Sequence, residues 1–174
     1  MNIERIPEWA LTLADDRQIA DLLARCFDTD FGGRSFFQTR QHLRLVHRQG
    51  PIVAHMALQF RAMRLGQRLI TVAGLADVAT DPGFRGQGLA SGMLRAALAE
   101  AKASPAEFFL LFGTAKLYHA AGFKAVHNPM IWAEMRGAVT GAIHRAPAES
   151  LLVLPLREAG WDATATLDLL GNLF

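Results

Sequence analysis

The chain has 174 residues, 51% of them hydrophobic, with a net charge of +2 and one cysteine. These figures exclude a disordered chain, an internal disulfide and a cysteine metal cluster, and they suit a single domain spanning 1–174 with a sizeable core. Glu4 and Glu8 sit where a secretory signal would be apolar, and no apolar run approaches the ~18 residues of a membrane span, so the sequence reads as soluble and cytoplasmic.

Asp15-Asp16-Arg17-Gln18 has capping-box spacing and predicts a helix start, with Ile19, Leu22, Leu23, Cys26 and Phe27 on its apolar face. Asp28 to Gly33 reads as a loop, and a second short helix is expected over Ser35–Gln41. Leu43–Arg48 follows as a strand that turns at Gln49-Gly50-Pro51. From Ile52 the pattern alternates: Ile52, Ala54, Met56, Leu58, Phe60 and Ala62 face one way, and His55, Gln59 and Arg61 the other. Gly66-Gln67 makes a hairpin turn, and Leu69–Ala73 leads into a central strand. No acid falls between Phe31 and Ala76, while Arg34, Arg40, Arg44, Arg48, Arg61, Arg64 and Arg68 all do. That stretch predicts a basic solvent-facing hairpin or a docking face for an anionic partner. Aromatic residues are not interleaved as nucleic-acid stacking requires, so no nucleic acid is expected.

Val78 to Met93, VATDPGFRGQGLASGM, organises the rest. A buried strand ends near Thr80, Asp81-Pro82-Gly83 breaks it, and Arg85-Gly86-Gln87-Gly88 turns into a helix whose apolar face carries Leu89, Ala90, Met93, Leu94, Ala97, Leu98 and Ala101. Free backbone N–H groups and the positive helix end make such a turn a site for a diphosphate, with Arg85 adding charge. No Gly-Lys-Ser/Thr follows, as a Walker A loop requires. Gly92 falls one position late for a dinucleotide fingerprint. Downstream, Phe108–Phe112 reads as a buried strand, Ala115–Ala121 as a short helix, and Met130–Met135 and Leu151–Leu156 as strands joined by a connection from Gly137 to Ser150. The order is that of a mixed α/β fold: antiparallel strands and two helices, then β–α–β–α units, then a closing pair of strands.

Arg85-Gly86-Gln87-Gly88-Leu89-Ala90 resembles the Q/R-x-x-G-x-G/A acetyl-coenzyme A loop of the GNAT acyltransferase superfamily, and Val-Ala-Thr-Asp-Pro-Gly-Phe before it is similar to that family's lead-in. The ending Tyr118-His119-Ala120-Ala121-Gly122-Phe123 resembles its next strand–helix unit. The resemblance implies the acyl-CoA N-acyltransferase fold, a mixed central sheet with splayed central strands flanked by helices. It implies acetyl-CoA as cosubstrate, bound by backbone groups of Val78, Ala79 and Thr80 and by Arg85, Gly86, Gln87, Gly88, Leu89, Ala90 and Ser91. It also implies that Tyr118, the only tyrosine, protonates the departing thiolate, a task suited to a phenol of pKa ~10. A plain glycine turn and a tyrosine packed in the core are the alternatives.

Two subgroups look nearest. Val53-Ala54-His55-Met56-Ala57-Leu58 and Leu13-Ala14-Asp15 resemble nodulation N-acyltransferases, which take long acyl chains from acyl carrier protein. Leu152-Val153-Leu154-Pro155-Leu156, Asp168 and the Gly-Asn-Leu-Phe ending resemble aminoglycoside 2′-N-acetyltransferases. Where relatives carry a basic Glu or His, this chain has Ala76, with Gly74 equally empty. Asp77 is the nearest carboxylate for a general base, although strand alternation points it to the opposite face unless a bulge intervenes. Glu134, His127, His55, His119 and a carboxylate at Phe174 are further candidates. The implied function is an N-acetyltransferase acting directly on a primary amine of a small molecule, an amino sugar or aminoglycoside-like acceptor included. The alternatives are a non-catalytic coenzyme A-binding module and an acyltransferase served by acyl carrier protein docked on the arginine-rich stretch. Neither a metal nor a membrane is expected, and the oligomeric state, a homodimer included, stays open.

Overall fold

The computed structural model describes residues 1–158 and 160–174. They form two compact units, one of Met1–Gln59 with Leu75–Glu100, the other of Phe60–Gly74 with Ala101–Phe174. Two long strands, β3 (Ile52–Leu65) and β4 (Arg68–Thr80), and the helix α2 (Leu89–Ala103) contribute to both.

In the first unit, β1 (Glu4–Pro7), β2 (Leu43–Arg48) and β3 pair antiparallel, with Glu4 opposite Val46 and His47 opposite Ala54. Helix α1 (Leu13–Cys26) starts two residues ahead of the predicted Asp15 because Thr12 is its cap. The Thr12 hydroxyl accepts from the Asp15 amide at 3.1 Å and donates to the Asp15 carboxylate at 2.7 Å. Its buried face, Ile19, Leu22 and Leu23, meets Phe31, Val46, Ile52 and Ala79. Between α1 and β2 the expected helix over Ser35–Gln41 does not form. Ser35 is engaged in tertiary bonds instead: its hydroxyl donates to Asp16 at 2.5 Å, and its carbonyl accepts from Arg44 at 2.8 Å. The alternation along β3 does not separate core from solvent either, since both faces are covered from Ile52 to Gln59, with His55 and Gln59 buried, while Ala62 is exposed.

The second unit carries β5 (Phe108–Phe112), α3 (Lys116–Ala120), β6 (Lys124–Ala125), β7 (Pro129–Arg136), β8 (Val139–Pro147), β9 (Leu151–Pro155) and β10 (Leu167–Asn172). The strand order is β6-β9-β5-β4-β3-β10-β7-β8. The sheet is mixed: β10 runs parallel to β7 and antiparallel to β3. Met63, Ile70, Val72, Phe108, Leu110, Leu151, Val153 and Leu167 form its core. Buried Asn128 is fully used, donating to the carbonyls of Asp162 and Ala165 and accepting from Trp161. Sequence pattern missed β8, because it is exposed almost throughout and carries no apolar alternation. It missed β10 because Leu170, at φ 50°, interrupts the strand. Among the described residues no helix is long and apolar enough to cross a membrane.

Candidate functional site

The strand–turn–helix stretch lies in the first unit. As β4 ends, the Asp81 carboxylate accepts from the Gly83 amide at 3.0 Å and pairs with Arg25 at 2.9 Å, fixing the turn. Gly86 and Gly88 then take φ of 77° and 75°, which side-chain-bearing residues avoid. A Cβ placed on either glycine meets no atom within 4 Å, so the space above both is open to a ligand. The first helical bond of α2 is Gly92 N–H to the Gly88 carbonyl at 3.1 Å. The amides ahead of it have no intrahelical acceptor and point toward the positive end of the helix. A cavity of about 220 Å³ is lined here by Thr80, Phe84, Arg85, Gly86, Gly88, Leu89, Ala90 and Ser91. Arg85 folds back so that its Nε donates to the Thr80 carbonyl at 3.2 Å.

Of the residues expected to hold the cosubstrate, Thr80, Arg85, Gly86, Gly88, Leu89, Ala90 and Ser91 share this cavity. Val78 and Gln87 do not line it, and the Ala79 methyl packs with Ile19 and Val46 in the core. Cys26, read from the sequence as packing, also donates its thiol to the Thr80 carbonyl at 3.4 Å, and burial raises its pKa.

Asp77 breaks β4. Its φ is 49°, a left-handed residue inside a strand, which interrupts the simple alternation. The side chain is 5% exposed. Its carboxylate accepts from Gln41 Nε2 at 2.7 Å and from the Phe37 amide, with Arg44 Nη1 at 3.9 Å. Burial pushes its pKa up to about 6, against the pull of Arg44 and of these hydrogen bonds. The Asp77 carbonyl is held by His55 Nδ1 at 2.8 Å. His55 is fully buried, and desolvation together with Arg44 lowers its pKa to about 3, so the ring is neutral with its proton on Nδ1. It leaves no charge to gain or lose near neutrality, which argues against His55 as a base.

Arg44, also fully buried, ties this region together by donating to Glu8 at 2.8 Å and to the Ser35 carbonyl. Sequence reasoning gave no role to Gln41, Glu8 or the individual arginines, because their partners lie tens of residues away. The predicted basic face is in fact largely paired. Arg40 meets Glu8 and Asp16, Arg48 meets Glu4 and Asp15, and Arg68 meets Glu107. Arg61 caps the carbonyls of Leu169 and Asn172.

Tyr118 lies in the second unit on α3, 6% exposed. Its ring edge sits 3.0 Å from where a Cβ on Gly113 would be, and it packs edge-on to Phe123 at 6.3 Å. Gly122, at φ 95°, ends the helix and lets the Phe123 amide return to the Tyr118 carbonyl. Burial raises the phenol's pKa, keeping it a proton donor. In the same unit the Phe174 ring fills the space beside Gly74, 2.8 Å from a Cβ placed there, and packs on Phe112. Glu134 is bound to His144, which holds its pKa low, with Arg136 at 2.6 Å, while His119 and His127 are exposed. Among the described residues no cluster of three or more His, Cys, Asp or Glu could hold a metal ion.

A family profile described as Acetyltransferase (GNAT) domain matches residues 10–126. Among solved structures, the chain is similar to the GNAT family N-acetyltransferase YhbS from Escherichia coli in complex with CoA. That likeness has a TM-score of 0.63 at 20% identity, covering 97% of this chain and 88% of that one. A GNAT family acetyltransferase from Brucella melitensis in complex with acetyl-CoA gives 0.60 at 17% identity, over 95% and 94% of the two chains. The ribosomal-protein-S18-alanine N-acetyltransferase of Escherichia coli gives 0.59 at 19% identity, over 91% and 97%. Among curated proteins, no sequence match was found.

Proposed function

The chain belongs to the GNAT acetyltransferase domain family, and from that membership we propose that it moves an acetyl group from acetyl-CoA to a primary amine of a small molecule. The observation that carries the reading is the turn at Gly86 and Gly88. It combines open space above two left-handed glycines, amides without intrahelical acceptors and the Arg85 guanidinium around one cavity. These features suit the diphosphate of coenzyme A, a dianionic group that backbone N–H donors and a helix start bind well.

In this reading the acceptor nitrogen, once neutral, attacks the thioester carbonyl. The carbon–sulfur bond breaks, Tyr118 gives its proton to the departing thiolate, and the surplus proton on the new amide nitrogen leaves and, through solvent, restores the phenol. Asp77 takes the proton the ammonium must lose. A carboxylate at about pKa 6 suits that task better than one at its ordinary value, because it lies nearer the working pH. The internal pairing of Arg40, Arg44, Arg48 and Arg68 supports a small acceptor over a carrier protein docked on that stretch.

Thiol release from acetyl-CoA across a panel of primary amines tests the proposal. Turnover with at least one amine is expected, and Tyr118→Phe should lower kcat by a factor of ~10² or more while leaving acetyl-CoA affinity unchanged. Binding of acetyl-CoA without thiol release for any amine would instead identify a binding module.

A further inference from the structure

The start of β7, the end of β8 and the start of β10 meet at a second cavity, of about 330 Å³, in the second unit. It shares no residue with the cavity at the glycine turn or with the Tyr118 helix. That volume falls at the lower end of the ~300–1,000 Å³ typical of small-molecule sites. Its walls are held in place. Pro129 stands opposite Pro147 in the β7–β8 register, and the proline rings fix the backbone at both positions. The Thr166 carbonyl accepts from the Gly66 amide at 2.8 Å, and the Ala148 amide donates to the Asn128 carbonyl at 2.9 Å. An occupant meets a preformed surface, which spares it the cost of ordering one.

Most of the lining is apolar. Met130, 5% exposed, and half-buried Ile131 supply its least accessible part, and Pro129, Ala146 and Pro147 its open part. The polar residues of the lining are Arg145 and Thr166. Among the described residues, neither the guanidinium nor the hydroxyl has a hydrogen-bond or ion-pair partner. Arg136 on the same hairpin is paired with Glu134, and Arg68 with Glu107, so Arg145 is set apart. The register explains why. Ile131 pairs with Arg145 on one side and with Asp168 on the other, which puts that carboxylate two strand spacings away, ~10 Å. Asp168 instead accepts from the Leu170 amide at 2.9 Å. An unopposed cation beside an apolar hollow selects an anion that carries hydrocarbon. A carboxylate has the single charge and the two coplanar oxygens that one guanidinium fork matches.

We propose that this cavity binds a compact monocarboxylate. Its two oxygens take parallel hydrogen bonds from Arg145, one of them also accepts from the Thr166 hydroxyl, and its hydrocarbon body lies against Met130 and Ile131. The site stands apart from the acetyl-transfer reading and does not rest on it.

Sodium benzoate is the probe, titrated at constant ionic strength into ¹⁵N-labelled protein, with the backbone amides of Ile131, Arg145 and Thr166 followed by NMR. All three should shift along one saturable curve while residues 86–91 stay unperturbed. Benzamide, of the same shape without the charge, should bind more weakly by a factor of ~10 or more. Arg145→Met keeps an apolar stem and drops the charge, so it should weaken benzoate by a similar factor and leave benzamide unchanged. Arg145 is exposed on the edge strand β8, where such a change leaves the core intact. Thr166→Val, which removes only the hydroxyl, should weaken benzoate in the parent background as well. Equal affinity for benzoate and benzamide marks a merely hydrophobic hollow and overturns the proposal. So does the lack of a saturable shift at the three amides, a response confined to residues 86–91, or unchanged benzoate affinity in Arg145→Met. Shifts at Ile131 and Arg145 that follow protein concentration rather than benzoate assign the face to a second copy of the chain, and they overturn it too.

Discussion

Replacing Gly88 by alanine separates a glycine kept for backbone geometry from one kept for a ligand. Gly88 has φ 75° and Gly50, in the turn between β2 and β3, has φ 77°; at both, an added Cβ meets nothing within 4 Å. The folding penalty of alanine is therefore the left-handed backbone alone, ~1–2 kcal/mol, offset by up to ~1 kcal/mol from restricting the unfolded chain. Gly50→Ala and Gly88→Ala should each lower stability by about 1 kcal/mol, or Tm by ~2–4 °C. They should diverge in ligand binding. At Gly88 the methyl enters the space above the amides, and losing one charge-assisted hydrogen bond of ~1.5–3 kcal/mol weakens acetyl-CoA by a factor of ~10–100. Paired thermal melts and acetyl-CoA calorimetry on both variants read this out. Equal acetyl-CoA affinity in Gly88→Ala, Gly50→Ala and the parent protein would refute the reasoning.

Two further outcomes are expected. Because the folded Asp77 has its pKa raised from 3.8 to about 6, the native state binds the extra proton between those values. This contribution to stability is therefore full below pH 3.8 and is lost as pH rises through about 6, by an amount on the order of 3 kcal/mol. Asp77→Asn, which also tolerates the left-handed backbone, should gain on the parent protein in urea unfolding between pH 4 and 7; a pH-independent difference would count against a buried, perturbed carboxylate. Separately, Gly74→Ala forces a methyl against the Phe174 ring at 2.8 Å and should cost ~1–3 kcal/mol. Adding Phe174→Ala should recover most of that loss, and simple additivity of the two changes would show that the ring does not occupy this space.

The features legible in the sequence were those set by local rules. The glycine turn, the helix after it, the apolar run Phe108–Phe112 and the Tyr118 helix all announce themselves within a few residues, and each element lies where its spacing put it. What stayed hidden depends on partners distant in sequence. Thr12 rather than Asp15 opens α1, and Ser35–Gln41 gives up helix for bonds to Asp16, Arg44 and Asp77. The arginine run looked like a basic face because its acids, Glu4, Glu8, Asp15 and Asp16, precede it on other elements. The left-handed turn at Asp77 has no local signal either, since aspartate is an ordinary strand-interrupting residue and the strand continues past it. That single torsion separates a carboxylate that simple alternation points to the opposite face from one buried against Gln41.

A crystal structure of the protein grown with acetyl-CoA is the most direct measurement. Diphosphate oxygens should lie within hydrogen-bonding distance of backbone amides in residues 86–91, beside the Arg85 guanidinium. A diphosphate bound away from that turn would contradict this placement.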